Sequence, residues 1–193
     1  MKRVCVFCGS KKGSSAAFAT AARRLGEALA ARGIELVFGG SHVGLMGVVA
    51  DAVLANGGQV TGVLPRFMED KELAHPNLTR LHIVETMHER KQRMAELAEG
   101  FIALPGGVGT LEEIFEAFTW QQLHLHAYPC GLLNVAGYYD GLMEFLRGSV
   151  RGGFVRREQL ARLLVAATPA ELLDQFAAYQ PDRSGPWMPS KVI

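Results

Sequence analysis

Residues 101–116 read FIALPGGVGTLEEIFE, an apolar run followed by a glycine-rich loop and the start of a helical pattern. The run 101–104 is apolar at every position, which is typical of a strand buried on both faces. The helical pattern begins at Thr110, so the loop brings free backbone N–H groups to a helix N-terminus, an arrangement that binds anions. The stretch therefore predicts a strand–loop–helix unit with an anion site at the carboxyl end of the strand.

Two earlier segments repeat this arrangement. A predicted strand at 3–8 leads into the loop CGSKKGS at 8–14, and another at 34–38 leads into FGGSHVGLMG at 38–47. One glycine-rich loop is a weak signal, because tight turns need glycine anyway, but three at one sheet edge indicate a ligand site. None of them is a P-loop, and the first strand lacks the G-x-G-x-x-G fingerprint of dinucleotide binding. Kinase, ATPase and hydride-transfer chemistry are therefore disfavoured.

The rest of the chain continues the alternation of strands and helices. Further strands are predicted at 59–64, 78–84 and 131–134, and helices at 14–32, 45–56, 86–99, 110–126, 138–150 and about 169–179. Fully apolar strands separated by helices predict a parallel sheet covered on both faces, so we expect an α/β, Rossmann-like doubly wound fold. The length predicts a single Rossmann-like domain over 1–180, and the tail 181–193, rich in Pro and Ser, is expected to be loose.

Composition narrows the class of protein. Of the 193 residues, 49% are apolar and 20% are charged, which excludes a disordered chain, and the net charge of +1 argues against a nucleic-acid partner. The apolar run at 4–8 is too short for a signal peptide, and no run approaches the roughly 18 apolar residues of a membrane span. We therefore expect a cytoplasmic protein with neither a membrane nor a nucleic-acid partner.

The cysteines and histidines indicate neither a redox motif nor a metal site. Cys5 and Cys8 form a C-x-x-C, but their odd separation within one strand points them to opposite faces of the sheet, so we interpret both as core residues. His124 and His126 would point to opposite sides of a predicted helix, at the surface or at an interface. That arrangement does not supply the ligands of a closed metal site.

Two adjacent cations lie on the helix predicted from Thr86. Arg90 and Lys91 project to the same side as the apolar stripe that contains Met87 and Met94. Either both side chains extend past the stripe to solvent, or an anion meets them, with the planar Arg90 guanidinium binding a phosphate or a carboxylate. The spacing alone leaves both interpretations open.

Three carboxylates lie near the start of the helix that follows the third glycine-rich loop. Glu112, Glu113 and Glu116 fall off the apolar stripe of this helix and adjoin the anion loop. A carboxylate there can stabilise cationic character or activate water. Thr110 and Glu113 also have the spacing of a capping box, which would explain both residues without catalysis. We favour a functional Glu113 over a cap alone.

The motif LPGGVGTLEE at 104–113, with MHERK at 87–91, resembles the LOG family of cytokinin riboside 5′-monophosphate phosphoribohydrolases, long mislabelled lysine decarboxylases. The resemblance runs from Val4 to about Phe154. It implies hydrolysis of the N-glycosidic bond of AMP and of N6-prenylated AMP, with release of the free base and ribose 5-phosphate. It also implies a homodimer, and we expect the reaction to need neither a metal nor a cofactor.

The resemblance further implies a set of site residues. Arg90 and Glu113 are expected to be catalytic. The residues expected to bind the substrate or its phosphate are Ser10, Gly40, Glu72, Lys91, Gly106, Gly107, Gly109, Thr110 and Thr119. The chain departs from the family pattern at Ser41-His42, at Val108 and at His124. These departures bear on base preference and on the fit around the sugar rather than on the reaction class.

Two other functions compete with hydrolysis. Molybdenum-cofactor carriers and nucleotide sensors with a similar loop bind their ligands without hydrolysing them, but the presence of both Arg90 and Glu113 favours the enzyme.

A lysine decarboxylase would need a Schiff-base lysine in a buried pocket. Among the lysines, only Lys91 lies near the inferred site, and it belongs to the substrate motif. We therefore reject the decarboxylase interpretation.

Overall fold

Seven parallel strands form one sheet in the computed structural model, which describes residues 1–69 and 73–181. The strands are β1 (Arg3–Phe7), β2 (Glu35–Phe38), β3 (Val60–Pro65), β4 (Arg80–Val84), β5 (Phe101–Ala103), β6 (Cys130–Leu133) and β7 (Leu163–Ala166). Their order across the sheet is β4-β3-β2-β1-β5-β6-β7. The chain builds outward from β1 and then returns to its other side at β5, so a crevice opens at the carboxyl ends of β1 and β5.

Helices cover both faces of this sheet. They are α1 (Ala16–Ala31), α2 (Gly44–Ala55), α3 (Arg66–Glu69), α4 (Met87–Leu97), α5 (Val108–Gln122), α6 (Asp140–Arg151), α7 (Arg157–Leu160) and α8 (Pro169–Ala178), with a 3-10 turn at Val135–Gly137. Side chains of α1, α2 and α8 form one apolar cluster with strand residues such as Val6. Side chains of α4, α5 and α6 form a second cluster with Cys5 and Phe101. The predicted Rossmann-like doubly wound fold is confirmed.

Local sequence signals set where several helices begin. Ser15 caps α1 by accepting a hydrogen bond from the N–H of Ala17, at 3.2 Å. Thr168 and Glu171 form a reciprocal capping box at α8, whose first residue is Pro169, a position where proline loses no helical hydrogen bond. These caps satisfy N–H groups that an uncapped helix would leave without partners.

Most element boundaries match the sequence pattern within a few residues, and the differences have local causes. No strand is predicted beyond 131–134, yet the chain there also holds the short α7 and the four-residue strand β7, too brief for a periodic signal. The helix predicted over 110–126 runs from Val108 to Gln122 instead. It ends there because His124 adopts a left-handed φ of 58°, a conformation that glycine favours.

The two histidines after α5 therefore do not lie on a helix, and that prediction is wrong. His124 is exposed. His126 donates a hydrogen bond from Nε2 to the carbonyl of Ala117, at 2.8 Å, and its ring lies 5.0 Å from that of Phe101. Its burial lowers its pKa. His126 thus anchors the turn between α5 and β6 to the core.

The two cysteines near the N-terminus are core residues, as the sequence predicted. Cys5 and Cys8 are free and buried, and they belong to the apolar clusters on opposite faces of the sheet.

Within residues 1–69 and 73–181, no helix is both long enough and apolar enough to cross a membrane. The tail 182–193 lies outside the described residues.

The three glycine-rich loops meet at one edge of the sheet, as the sequence predicted. The N–H of Gly9 donates to the carbonyl of Pro105 at 3.1 Å, and the N–H of Leu45 donates to the carbonyl of Gly9 at 3.0 Å. A Cβ at Gly44 would overlap the backbone of Ser10, and Gly44 also has a left-handed φ of 61°. The loops after β1, β2 and β5 therefore form one continuous rim around the crevice.

Candidate active site

A cavity of about 390 Å³ opens at this rim, between the loops and helices α4 and α5. Such a volume fits a small metabolite. Its floor is the carboxyl end of β1. The lining residues are Val6, Phe7, Cys8, Gly9, Ser10, Gly39, Met46, Met68, Met87, Arg90, Met94, Gly107, Val108, Gly109, Thr110, Glu112 and Glu113.

Arg90 is buried at the floor of the cavity, with only 7% of its surface exposed. Its Nε donates to the carbonyl of Val63 at 3.2 Å, and its Nη2 donates to the carbonyl of Gly39 at 3.2 Å. Nη1 lies 3.5 Å from Oε1 of Glu113. The alternative in which this side chain extends to solvent is wrong. A buried cation with these partners is held in place and compensated by a carboxylate.

Helix α4 positions Arg90. Thr86 caps the helix by accepting a hydrogen bond from the N–H of Glu89, at 3.1 Å. One turn later, Arg90 and Met94 lie on the face that packs against the sheet, and both are buried. The helical period therefore carries the guanidinium over the sheet, where the carbonyl of Val63 within β3 and that of Gly39, just after β2, accept its hydrogen bonds.

Glu113 is the anionic partner of Arg90 inside the cavity. Its side chain is 13% exposed. Burial raises the pKa of Glu113 above the ordinary value. The positive charge of Arg90 lowers this pKa, whereas the neighbouring carboxylate of Glu112 raises it further. The group thus binds a proton more readily than an exposed glutamate, as general acids and bases in active sites often do.

The capping-box explanation of Glu113 is wrong. Helix α5 begins at Val108 with Gly107 as its N-cap, and no side chain caps it. Thr110 and Glu113 therefore both lie inside the helix, one turn apart, rather than at its cap. Thr110 is buried, and Glu113 faces Arg90.

The start of α5 forms an open anion cradle. The N–H groups of Val108, Gly109 and Thr110 belong to the first turn of a helix of 15 residues, where they lack helical partners. A Cβ at Gly107 or Gly109 would meet no atom within 4 Å, so space above both residues is free for a ligand. Gly106 differs, since a Cβ there would overlap Thr110, and packing alone requires glycine.

Some predicted residues lie away from this cavity. The ammonium of Lys91 contacts Glu112 and Glu116 on α5, the latter at 3.1 Å, and Lys91 is not among the described residues that line the cavity. Thr119 is exposed further along α5 and donates to the carbonyl of Phe115 at 2.7 Å. Glu72 lies outside the described residues.

Gly40 also points away from the cavity, and its neighbour Gly39 lines it. Gly40 has a left-handed φ of 77°, and a Cβ there would face Val63 and Leu64. Gly39 accepts the hydrogen bond from Arg90, and a Cβ on Gly39 would overlap the Nη2 atom. Sequence reasoning missed Gly39, although the Gly-Gly pair after β2 is the signal that could have found it.

A methionine wall, formed by Met46, Met68, Met87 and Met94, was also missed as a set. Only Met87 and Met94 stood out in the sequence, as part of one helical stripe. The four come from α2, α3 and α4, so their convergence depends on the fold. Unbranched, polarizable side chains give an apolar surface that adapts to its ligand.

A second cavity of about 350 Å³ adjoins the first on the other side of the rim. It shares Gly9, Ser10 and Gly107 with the first cavity and is also lined by Phe18 and Tyr138. The hydroxyl of Tyr138 donates to the carbonyl of Gly106 at 2.6 Å, which supports the loop before α5.

In the part of the chain that the structure describes, no three His, Cys, Asp or Glu side chains are grouped closely enough to hold a metal ion.

Comparison with known proteins decides the family. The family model described as "Possible lysine decarboxylase" matches residues 46–176. A probable cytokinin riboside 5′-monophosphate phosphoribohydrolase of Oryza sativa subsp. japonica is 48% identical over 180 residues, covering 93% of this chain and 73% of the relative. A cytokinin riboside 5′-monophosphate phosphoribohydrolase of Arabidopsis thaliana is 45% identical over 184 residues, covering 95% and 81%. The chain belongs to the LOG family. The membership that the motifs suggested is thereby confirmed.

The LOG fold extends to proteins with other names. A solved structure described as the molybdenum cofactor binding protein of Rippkaea orientalis has a TM-score of 0.70 at 18% identity, covering 92% of this chain and 97% of that chain. At this identity the likeness shows the fold alone.

Lys91 is not suited to form the Schiff base that a lysine decarboxylase, the activity in the family model's description, would need. A Schiff base forms from a neutral amine. The hydrogen bond to Glu112, with that to Glu116, raises the pKa of the Lys91 ammonium, so the group stays charged. In this LOG chain, Lys91 is thus a partner of carboxylates rather than a nucleophile.

Proposed function

We propose that this protein hydrolyses the N-glycosidic bond of nucleoside 5′-monophosphates, AMP and N6-prenylated AMP, and releases the free base and ribose 5-phosphate. The observation that carries the proposal is the buried pair of Arg90 and Glu113, joined at 3.5 Å in a cavity beside an anion cradle. A glycosidic substrate with a 5′-phosphate needs both features: an anchor for its anion and a carboxylate at its anomeric carbon.

The phosphate end of the substrate fits the start of α5. Free N–H groups of Val108, Gly109 and Thr110 would receive the phosphate oxygens, with Ser10 on the facing loop. The phosphate does not take part in bond cleavage. Its binding energy instead holds the ribose in reacting geometry, which raises the rate of the chemical step.

The ribose would then lie over Arg90 and Glu113. Cleavage of the glycosidic bond builds positive charge on the sugar ring, and the Glu113 carboxylate stabilises that charge and orients or deprotonates the attacking water. Arg90 has five N–H donors, of which Val63, Gly39 and Glu113 engage three. The remaining donors are available to the ribose hydroxyls or the phosphate.

The base would contact the methionine wall. An adaptable apolar surface suits a purine whose N6 substituent varies from hydrogen to a prenyl chain. The wall is partly open to solvent, because Met87 is 40% exposed, so a longer substituent has room to extend. This supports a substrate range that includes both AMP and its prenylated form.

The decisive test is base release by the purified protein. We expect incubation with AMP, and with isopentenyl-AMP, to give free base and ribose 5-phosphate in equal amounts, without added metal or cofactor. Chromatography of the base and a colorimetric assay of the reducing sugar measure the two products. Tight nucleotide binding without base release would overturn the proposal and favour a carrier or sensor.

We also propose that the protein forms a homodimer. Leu111, Phe115 and Trp120 on α5 and Leu123 just after it are only half-buried in one chain, and Phe145 on α6 is 69% exposed. Large apolar groups at a surface are typical of subunit contacts. We expect light scattering after gel filtration to give twice the 21.0 kDa mass of one chain, and a mass of one chain at assay concentration would contradict this.

A further inference from the structure

Lys91 links α4 to α5 next to the catalytic pair. It follows Arg90 directly, but its ammonium binds Glu112 and Glu116 rather than Glu113. The Lys91 side chain is 11% exposed, whereas Glu112 and Glu116 are 51% and 29% exposed. A long cationic side chain so well covered, with two carboxylate partners, is fixed in place.

The two partners of Lys91 flank Glu113 along α5. Glu112 is the adjacent residue, and Glu116 lies one helical turn further on. Three carboxylates so close together repel one another. Burial raises the pKa of Glu113 most, and both flanking carboxylates raise it further. One cation that binds both flanking groups removes much of that repulsion without entering the cavity.

The other groups that face Glu113 do not replace Lys91. Arg90, on α4, already contacts Glu113 directly. The thiols of Cys5, within β1, and of Cys8, just after it, are buried, and burial raises their pKa, so they stay neutral. Only Lys91 among these groups compensates the charges of Glu112 and Glu116.

We propose that Lys91 is a positioning residue for the reaction: by holding Glu112 and Glu116, it fixes α4 against α5 and keeps Glu113 ionised beside Arg90. This inference rests on the proposed function. It assigns to Lys91 a role exerted through other side chains, distinct from direct contact with the substrate. To reach a ligand in the cavity, the ammonium would have to leave both carboxylates.

The test is the pH dependence of kcat/KM in the variant Lys91→Met. If Glu113 works as a carboxylate, activity falls as the pH drops through its pKa. Loss of Lys91 leaves two uncompensated carboxylates. We therefore expect the acidic limb of the profile, where activity falls at low pH, to move to a pH about one unit higher. At a pH on the limb, activity then drops about tenfold, while KM for AMP changes little.

Two further variants make the test independent of whether Lys91→Met folds well. Glu116→Gln removes one flanking charge and keeps Lys91, so we expect the limb to move to lower pH. Adding Glu112→Gln and Glu116→Gln to Lys91→Met removes the repulsion itself, so we expect the limb to return toward that of the wild type. Arg93→Met, which breaks an exposed pair with Glu96 on the same helix, is the matched control.

The outcomes separate this inference from the proposed function. A higher KM with an unmoved acidic limb in Lys91→Met would mean direct substrate contact and would overturn the positioning role. An acidic limb that Glu116→Gln leaves unmoved would overturn it as well. Failure of the wild type to release base from AMP would instead overturn the proposed function.

Discussion

Glu113→Gln is expected to lower kcat for base release from AMP by about a hundred- to ten-thousandfold, the range typical of losing a general base or its charge stabilisation. Glutamine keeps the shape of the side chain and can still accept a hydrogen bond from Arg90, at the position where the carboxylate lies 3.5 Å from Nη1. It cannot carry the negative charge that stabilises the oxocarbenium-like state or take a proton from water. KM is expected to change little, because the phosphate cradle is untouched.

The same substitution is expected to leave the protein at least as stable as the wild type at neutral pH. Burial raises the pKa of Glu113 in the folded state. A carboxyl with a raised pKa contributes stability in its protonated form, below the pKa of the unfolded chain, and that stability is lost as the pH rises through the folded-state value. At pH 7 the ionised group therefore costs stability, and glutamine removes this cost.

Urea unfolding at pH 7 and near pH 4 measures this effect. We expect the stability difference between Glu113→Gln and the wild type to be largest at pH 7 and to shrink at pH 4. Glu96→Gln, at an exposed ion pair on α4, is the matched control and is expected to show little difference. If Glu113→Gln unfolds at a lower urea concentration than the wild type at pH 7, pairing with Arg90 outweighs burial, and the expected sign is wrong.

Nearly full turnover of AMP by Glu113→Gln would exclude the catalytic role of Glu113.

Strands and helix starts are predicted well from the sequence, because they depend on the pattern of neighbouring residues. The apolar run 101–104 and the glycine loop after it predicted β5 and the start of α5 within two residues, because strand burial and helix entry are local properties. The position of Arg90 beside an apolar stripe left two interpretations, extension to solvent or an anion partner, and the structure supplies the partner as Glu113. Arg90 stood out because a charge next to a buried stripe is costly without a partner, and Glu113 stood out because it adjoins the anion loop.

What the sequence does not predict depends on contacts between distant elements. Gly39 and Arg90 are 51 residues apart, and no period connects them. The ion pairs of Lys91 depend on how α4 lies against α5, which the sequence of either helix leaves undetermined. For the same reason the pattern joined Lys91 to Arg90 on one side of a helix, although the two side chains bind different carboxylates.

Gly39→Ala is expected to lower kcat about as much as Arg90→Met, by roughly a hundredfold, through misplacement of the guanidinium alone. Gly39 has no left-handed φ, so its backbone accepts alanine. The new Cβ would overlap Nη2 of Arg90, the end of a flexible side chain, which can swing away while the fold persists. The hydrogen bond to the Gly39 carbonyl is then lost, and Glu113 loses its fixed partner.

A double-mutant cycle distinguishes this mechanism from a general loss of structure. If Gly39→Ala acts only by displacing Arg90, the combination with Arg90→Met is expected to be no slower than Arg90→Met alone, since residues in one unit are strongly non-additive. Gly141→Ala, at an exposed position of α6 where a Cβ meets no atom within 4 Å, is the matched control and is expected to keep full activity. Two losses that multiply in the double variant would mean that Gly39 acts by another route, and full activity of Gly39→Ala would show that the guanidinium tolerates displacement.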